Sequence, residues 1–167
     1  GIVRAKAGQL DHLGGTDVVI QKEIGDQVAL VSGGGSGHEP AHAGFVGQGM
    51  LQAAVCGQGF TSPTSDQVLE AIKAADQGKG VLLIIKNYSG DVMNFEMAME
   101  LAEMENIQVE KIIVDDDIAV EDSVDKQGKR GVAGTILVHK LLGAAAQNGA
   151  SLAELKELGD KAVANIN

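Results

Sequence analysis

The fold is indicated most clearly by residues 80–94, which read GVLLIIKNYSGDVMN. The run VLLIIK is apolar without alternation, as is typical of a strand buried on both faces of a parallel sheet. Lys86 would stand at the carboxyl end of this strand. Gly90 would then turn the chain into a helix, for which Asp91 is well placed as the N-cap. The segment therefore predicts a strand–turn–helix unit.

The same alternation of apolar runs and helical periodicity extends along the rest of the chain. Apolar runs predict strands over Asp17–Ile20, Gln27–Ser32, Leu51–Cys56, Gly80–Lys86 and Val109–Val114. Helical spacing and a Ser-x-x-Glu capping box predict helices over Thr64–Gln77, Asp91–Glu105, Gly131–Gln147 and Ser151–Val163. Together they predict a single three-layer α/β domain over residues 1–167, with a mostly parallel or mixed central sheet and helices on both faces.

A glycine-rich segment, SGGGSGHEP, occupies residues 32–40 after the second predicted strand. Successive glycines let backbone N–H groups point outward above a sheet, where they bind anions or hydroxyl oxygens. We expect a helix to follow, and we interpret the segment as a binding loop because a tight turn would need fewer glycines. The Rossmann spacing would need glycine in place of His38, and the Walker pattern is also missing, so a nucleotide would bind elsewhere.

Residues 38–42, HEPAH, also match the HExxH pattern of zinc proteases. That motif needs both imidazoles on one face of a continuous helix, with the glutamate as base. Pro40 lies between the two histidines and favours a helix start over a helix interior. A zinc hydrolase is therefore the weaker alternative, and we predict no metal site.

Lys86 and Asp91 are the second candidate pair. The lysine can donate to a substrate oxygen and the carboxylate can accept a proton, although each could serve only as a solvated or capping residue. Because ligands bind beyond the carboxyl ends of parallel strands, we expect this pair and the glycine segment to share one small-molecule site. Asp115–Asp117 could hold Mg²⁺ with a substrate phosphate, but a solvated acidic loop is the simpler interpretation.

Composition argues against several classes of partner. The net charge is −10 and aromatic residues make up 2% of the chain, which argues against nucleic acid and against anionic membrane surfaces. No apolar run approaches the length of a transmembrane helix. Cys56, the single cysteine, lies in an apolar run and is expected to be a buried, inert thiol. We therefore expect a cytoplasmic protein that binds a small molecule.

Several stretches, in order and together, resemble the dihydroxyacetone kinase family, in the N-terminal part of its dihydroxyacetone-binding (K) subunit. They are SGGGSGHEPAHAGFVGQGM, FTSPT, GVLLIIKNYSGDVMNFEMA, VDDDIAVEDS and KRGVAGTILVHKLLGAAA. The resemblance implies an α/β domain that binds dihydroxyacetone and carries no cofactor itself. ADP or ATP, with Mg²⁺, would belong to a separate donor subunit, which in some forms is recharged by a phosphotransferase-system phosphocarrier.

The resemblance also implies roles for individual residues. His38 would hydrogen-bond a substrate hydroxyl as the catalytic base or its helper, Lys86 would donate to the substrate, and Asp91 would accept from the reacting hydroxyl. The residues that would surround the substrate with them are Gly35, Ser36 and Gly37.

Members of the family also hold the substrate covalently through a histidine in the following subdomain, and this sequence ends at Asn167, before any such region. We therefore expect residues 1–167 to be the N-terminal substrate-binding domain of a longer K subunit whose C-terminal subdomain is missing, and to be inactive alone. A dihydroxyacetone-binding transcriptional co-activator of the same family stays as the alternative function. The resemblance further implies a homodimer.

Overall fold

The computed structural model describes residues 1–120 and 128–166, in which strands and helices alternate. The strands are β1 (Leu10–Leu13), β2 (Val18–Gln21), β3 (Ala29–Ser36), β4 (Ala53–Gly59), β5 (Val81–Lys86) and β6 (Val109–Val114). The helices are α1 (Ile2–Ala5), α2 (Ser65–Ala75), α3 (Ser89–Met104), α4 (Gly134–Gln147) and α5 (Leu152–Val163), with a short 3-10 helix over Ala43–Phe45.

The six strands form one sheet in the order β1-β2-β4-β3-β5-β6. The four strands β3 to β6 are parallel, whereas β1 and β2 form an antiparallel edge. Every residue of β5 is buried, as its unbroken apolar run predicted. The parallel pairing of β3 with β5 reaches Ser32 and Ile84, so the glycines that follow Ser32 lie at the same edge of the sheet as the end of β5. The mixed, mostly parallel sheet expected from the sequence is confirmed.

Both faces of the sheet are covered by helices. On one face α2 and α3 pack against strand residues such as Val31 and Leu83. On the other face α4 and α5 pack against Leu30 and Ile84. Alternate residues of β3 and β5 point to opposite faces, and both faces are apolar, which explains why these strands show no polar alternation. The three-layer α/β architecture is confirmed.

The glycine-rich segment is the main difference from the expected secondary structure. β3 continues to Ser36, so most of the segment is strand and not loop. No α-helix follows it; the chain makes turns and only the 3-10 helix over Ala43–Phe45. Strand β1 and the four-residue helix α1 were also not predicted, because neither has a long periodic pattern.

One of the two helix caps expected from the sequence is present. Ser151 and Glu154 form the reciprocal capping box that opens α5. Thr64 caps α2 by accepting from the backbone N–H of Gln67. Asp91 is not the N-cap of α3, because the helix begins at Ser89, after Tyr88. Within the described ranges, no helix is both long and apolar enough to cross a membrane.

Candidate functional site

The carboxyl ends of β3 and β5 lie at the same edge of the sheet, as expected of parallel strands. Lys86 is the last residue of β5, and Asp91 lies in the first turn of α3. Both are buried, at 7% and 6% exposure. A side chain at position 34 of β3 would begin 3.5 Å from Oδ2 of Asp91. The structure therefore brings Asp91 against the end of the glycine-rich strand.

Burial shifts both ionisable groups toward their neutral forms. The pKa of Asp91 is raised, mainly by desolvation, while a hydrogen bond with Ser62 and the positive charges of Lys86 and His38 oppose the shift. The pKa of Lys86 is lowered by desolvation and partly restored by the charge of Asp91. Its Nζ lies 5.2 Å from the centre of the Tyr88 ring. A carboxylate with a raised pKa is a stronger base than an exposed one, which suits proton abstraction.

His38 lies at the rim of this site. It is exposed, on the turn after β3, and its ring meets the edge of the Phe60 ring at 5.6 Å between centroids. Its charge is among the influences that lower the pKa of Asp91. His38 therefore lies on an exposed turn from which it still influences the Asp91 carboxyl, whereas Lys86 and Asp91 are themselves buried.

Packing accounts for much of the glycine content at the end of β3. A Cβ on Gly33 would lie 2.4 Å from the carbonyl oxygen of Val55, and one on Gly35 would lie 2.7 Å from the backbone nitrogen of Thr61. Gly37 has φ of +115° and faces the ring of Phe60. Neighbouring backbone therefore requires glycine at positions 33 and 35, and the positive φ favours it at position 37, whatever ligand binds. Gly34 differs, because the atoms nearest to its Cβ position are side-chain atoms of Asp91 and His42.

Two buried histidines, His42 and His139, complete the polar groups behind this strand end. Nδ1 of His42 lies 3.3 Å from the hydroxyl of Ser32 and 3.4 Å from Nε2 of His139. The exposures are 5% for His42 and 0% for His139. Nε2 of His42, Nδ1 of His139 and the hydroxyl of Thr135 have no hydrogen-bond partner among the described residues. Sequence reasoning did not assign either histidine to the site.

The buried histidines predict acid sensitivity of the fold. Burial, followed by the charge of Lys86, lowers the pKa of His139 to about 3 from 6.5. Between these pH values His139 binds a proton in the unfolded chain but not in the folded one, so the free energy of unfolding falls as pH falls. The loss is up to about 1.4 kcal/mol per pH unit. Denaturant unfolding should therefore show a shallower pH dependence below 6.5 for His139→Leu than for the native protein, and equal slopes would contradict the argument.

A cavity of about 450 Å³ lies beside the strand end. Gly34, Gly35, Ser36 and His42 are among its lining residues, whereas Lys86 and Asp91 are not. Cys56 also lines it and is half-buried, with a thiol pKa raised mainly by burial, so the inert thiol expected from the sequence agrees with its environment. The glycine-rich strand and His42 therefore border the same cavity.

The two metal hypotheses lack the geometry that they need. The HEPAH segment is not helical, and its histidines differ in setting, since His38 is exposed and His42 is buried against Ser32. Within residues 1–120 and 128–166, no group of three or more His, Cys, Asp or Glu could hold a metal ion. Asp116 of the acidic run accepts from the backbone N–H groups of Val132 and Gly134, and so holds the start of α4.

Comparison with known proteins identifies close relatives. A family model described as the Dak1 domain matches residues 1–167. A relative from Listeria innocua, named PTS-dependent dihydroxyacetone kinase 1, dihydroxyacetone-binding subunit DhaK, is 64% identical over 99% of this chain and 51% of its own length. The chain therefore spans about half the length of that relative.

Solved structures show the same fold. The dihydroxyacetone kinase from C. freundii, in complex with AMP-PNP and Mg²⁺, superimposes with a TM-score of 0.93 at 46% identity, covering 99% of this chain and 31% of that one. The dihydroxyacetone kinase operon co-activator Dha-DhaQ superimposes with a TM-score of 0.88 at 45% identity, covering 92% and 48% of the two chains. Proteins with two different named roles thus share this architecture.

Proposed function

Because this chain belongs to the Dak1 domain family, we propose that it binds dihydroxyacetone and positions it for phosphoryl transfer, as part of a dihydroxyacetone kinase. The observation that carries the proposal is the buried pair Lys86 and Asp91, with the Asp91 carboxylate 3.5 Å from the Cβ position of Gly34. The names of the relatives support dihydroxyacetone as the bound molecule. The site contains a cationic donor and an anionic acceptor, which suit a small molecule with a carbonyl oxygen and hydroxyl groups.

The chemistry requires little from this chain beyond orientation and proton removal. Lys86 would donate a hydrogen bond to an oxygen of dihydroxyacetone, and His38 would contact a hydroxyl at the rim. As the reacting hydroxyl oxygen bonds to phosphorus, its proton would pass to the carboxylate of Asp91, and the bond between phosphorus and the donor oxygen would break. Gly35, Ser36 and Gly37 would form the wall beside the substrate. Positioning of this kind supplies much of the acceleration in phosphoryl transfer.

The remaining components are assigned to other parts of the assembly. The nucleotide, ADP or ATP, and its Mg²⁺ would belong to a donor subunit, since the chain has neither nucleotide motif. The phosphotransferase-system link in the relative's name supports a phosphocarrier as the ultimate donor. We further propose a cytoplasmic homodimer, in which residues 1–167 form the N-terminal domain of a longer subunit.

A co-activator role is the second candidate, because the structure of Dha-DhaQ is so similar to this one. Binding of dihydroxyacetone alone does not separate the two roles. Formation of dihydroxyacetone phosphate by the full-length protein with a donor subunit would establish the kinase role. Binding without any phosphoryl transfer, at saturating donor subunit, would favour the co-activator.

Calorimetric titration of the full-length protein with dihydroxyacetone tests the site itself. Lys86→Met keeps the length and apolar stem of the side chain but removes the charged donor, which is worth about 1.5–3 kcal/mol, or about tenfold to a hundredfold in affinity. Lys140→Met, at an exposed position of α4, is the matched control and should bind normally. Absence of binding by the native protein would refute the proposed function, and unchanged affinity in Lys86→Met would refute the role of that residue.

A further inference from the structure

His42 has a fixed hydrogen-bonding direction, which follows from the groups around it. The hydroxyl of Ser32 donates to the carbonyl oxygen of Ile84 at 2.6 Å, so its single proton is already used. The Ser32 oxygen can therefore only accept from Nδ1 of His42, 3.3 Å away. A protonated Nδ1 can also donate to Nε2 of His139 at 3.4 Å, whereas an unprotonated Nδ1 would face the lone pairs of the Ser32 oxygen. We therefore assign the proton to Nδ1 and a lone pair to Nε2 of the neutral ring.

The neutral state of His42 is consistent with its surroundings. Burial lowers the pKa of its imidazole well below 6.5, and the charges of His139, Lys86 and His38 act in the same direction. An imidazolium there would meet the Lys86 ammonium in a poorly solvated region. His42 is therefore an acceptor at Nε2 and not a second cation of the site.

Nε2 of His42 and the carboxylate of Asp91 both lie close to one position on β3. A Cβ on Gly34 would stand 3.6 Å from Nε2 of His42 and 3.5 Å from Oδ2 of Asp91. Nε2 is buried and has no partner among the described residues. An unsatisfied buried acceptor costs about 1–3 kcal/mol, and a donor that arrives with a ligand removes that cost. Two acceptors thus lie within 3.6 Å of one position, that of a Cβ on Gly34.

We propose that His42 is a further ligand-contacting residue, whose Nε2 accepts a hydrogen bond from a second hydroxyl of the bound molecule. One hydroxyl would then donate to Asp91 and the other to His42, while Lys86 donates to an oxygen between them. This inference rests on the proposed function. It gives the site a binding preference for a molecule with two hydroxyl donors. A site built to pair a hydroxyl rejects an analogue that lacks it, because the buried acceptor stays unpaired.

A pair of ligands and a pair of variants separate this role from a structural one. Hydroxyacetone has the carbonyl and one hydroxyl of dihydroxyacetone but lacks the second hydroxyl. His42→Asn keeps a donor near the position of Nδ1 and removes the acceptor at Nε2, whereas His42→Gln can place an amide oxygen there. The full-length native protein should prefer dihydroxyacetone over hydroxyacetone by about tenfold. His42→Asn should lose that preference, and His42→Gln should keep most of it.

The outcomes distinguish this inference from the proposed function. If the native protein binds dihydroxyacetone and His42→Asn weakens both ligands by the same factor, His42 has only a structural role and the inference is wrong. If the native protein binds neither ligand, the proposed function and the inference fail together.

A measurement on the native protein does not depend on the folding of any variant. The ¹⁵N resonance of Nε2 of His42 should have the high-frequency position of an unprotonated ring nitrogen, and it should move to lower frequency when dihydroxyacetone is added. An unmoved resonance at saturation would overturn the assignment, even if both variants fail to fold.

Discussion

Asp91→Asn in the full-length protein is expected to reduce turnover by about a hundredfold to ten-thousandfold, the range attributed to general-base catalysis. The amide has nearly the same shape as the carboxylate but cannot take the proton of the reacting hydroxyl. Because the side chain is buried at 6% exposure, solvent cannot easily replace it as the base. Steady-state kinetics at saturating donor subunit would measure the effect.

Two controls make the Asp91 experiment specific. Asp115→Asn changes an exposed carboxylate of the acidic run after β6 and should leave turnover unchanged. The native enzyme should also lose activity in acid as Asp91 becomes protonated, at a pH above that of an ordinary aspartate, because burial raises the pKa of this carboxyl. Turnover of Asp91→Asn equal to that of the native protein would show that another group, such as His38, removes the proton.

The sequence predicted the end of β5 at Lys86 and the existence of β3, although not its continuation past Ser32 to Ser36, because these segments have strong local signals. The unbroken apolar run before Lys86 indicated a strand buried on both faces, and every residue of β5 is buried. β3 pairs with β5 in parallel at the centre of the sheet, so both strands end at the same edge. The family resemblance stated from the same stretches is confirmed by the match to the Dak1 domain over the whole chain. The assignments of Gly35, Ser36, Gly37, His38, Lys86 and Asp91 to substrate binding stay predictions that the experiments above address.

The errors arose where local signals and tertiary packing disagree. Aspartate is a common N-cap, but α3 starts two residues before Asp91, which frees its carboxylate to reach toward Gly34. Glycines usually indicate a turn, yet here they let β3 continue alongside the close backbone of Val55 and Thr61. Local propensity could not reveal either outcome, because the deciding neighbours lie more than twenty residues away in the chain.

The pair of buried histidines could not be predicted from spacing. His42 and His139 are separated by 97 positions and meet only because α4 packs over the end of β3. A weak signal was present, since His139 lies in the helical stripe of Thr135, Val138, Leu142 and Ala146, which is the buried face of α4. A polar residue in such a stripe indicates a buried polar contact, but its partner can be found only from the fold.

Phe95→Ala is expected to lower the free energy of unfolding by about 3–5 kcal/mol. The ring is fully buried between α3 and the sheet, and its tip lies 3.1 Å from the Cβ position of Gly33. Met97→Ala, on the same helix but half-exposed, is the matched control and should change stability by no more than about 0.5 kcal/mol.

The Phe95 experiment also tests how the site is supported. Phe95 lies one helical turn after Asp91, so the contact of its ring with β3 fixes the helix that presents the carboxylate to Gly34. Under conditions where Phe95→Ala is still folded, turnover should therefore fall as well, whereas Met97→Ala should keep both stability and turnover. Denaturant unfolding and steady-state kinetics on the same samples would measure the two effects. A loss of stability with native turnover would show that the position of Asp91 does not depend on this contact.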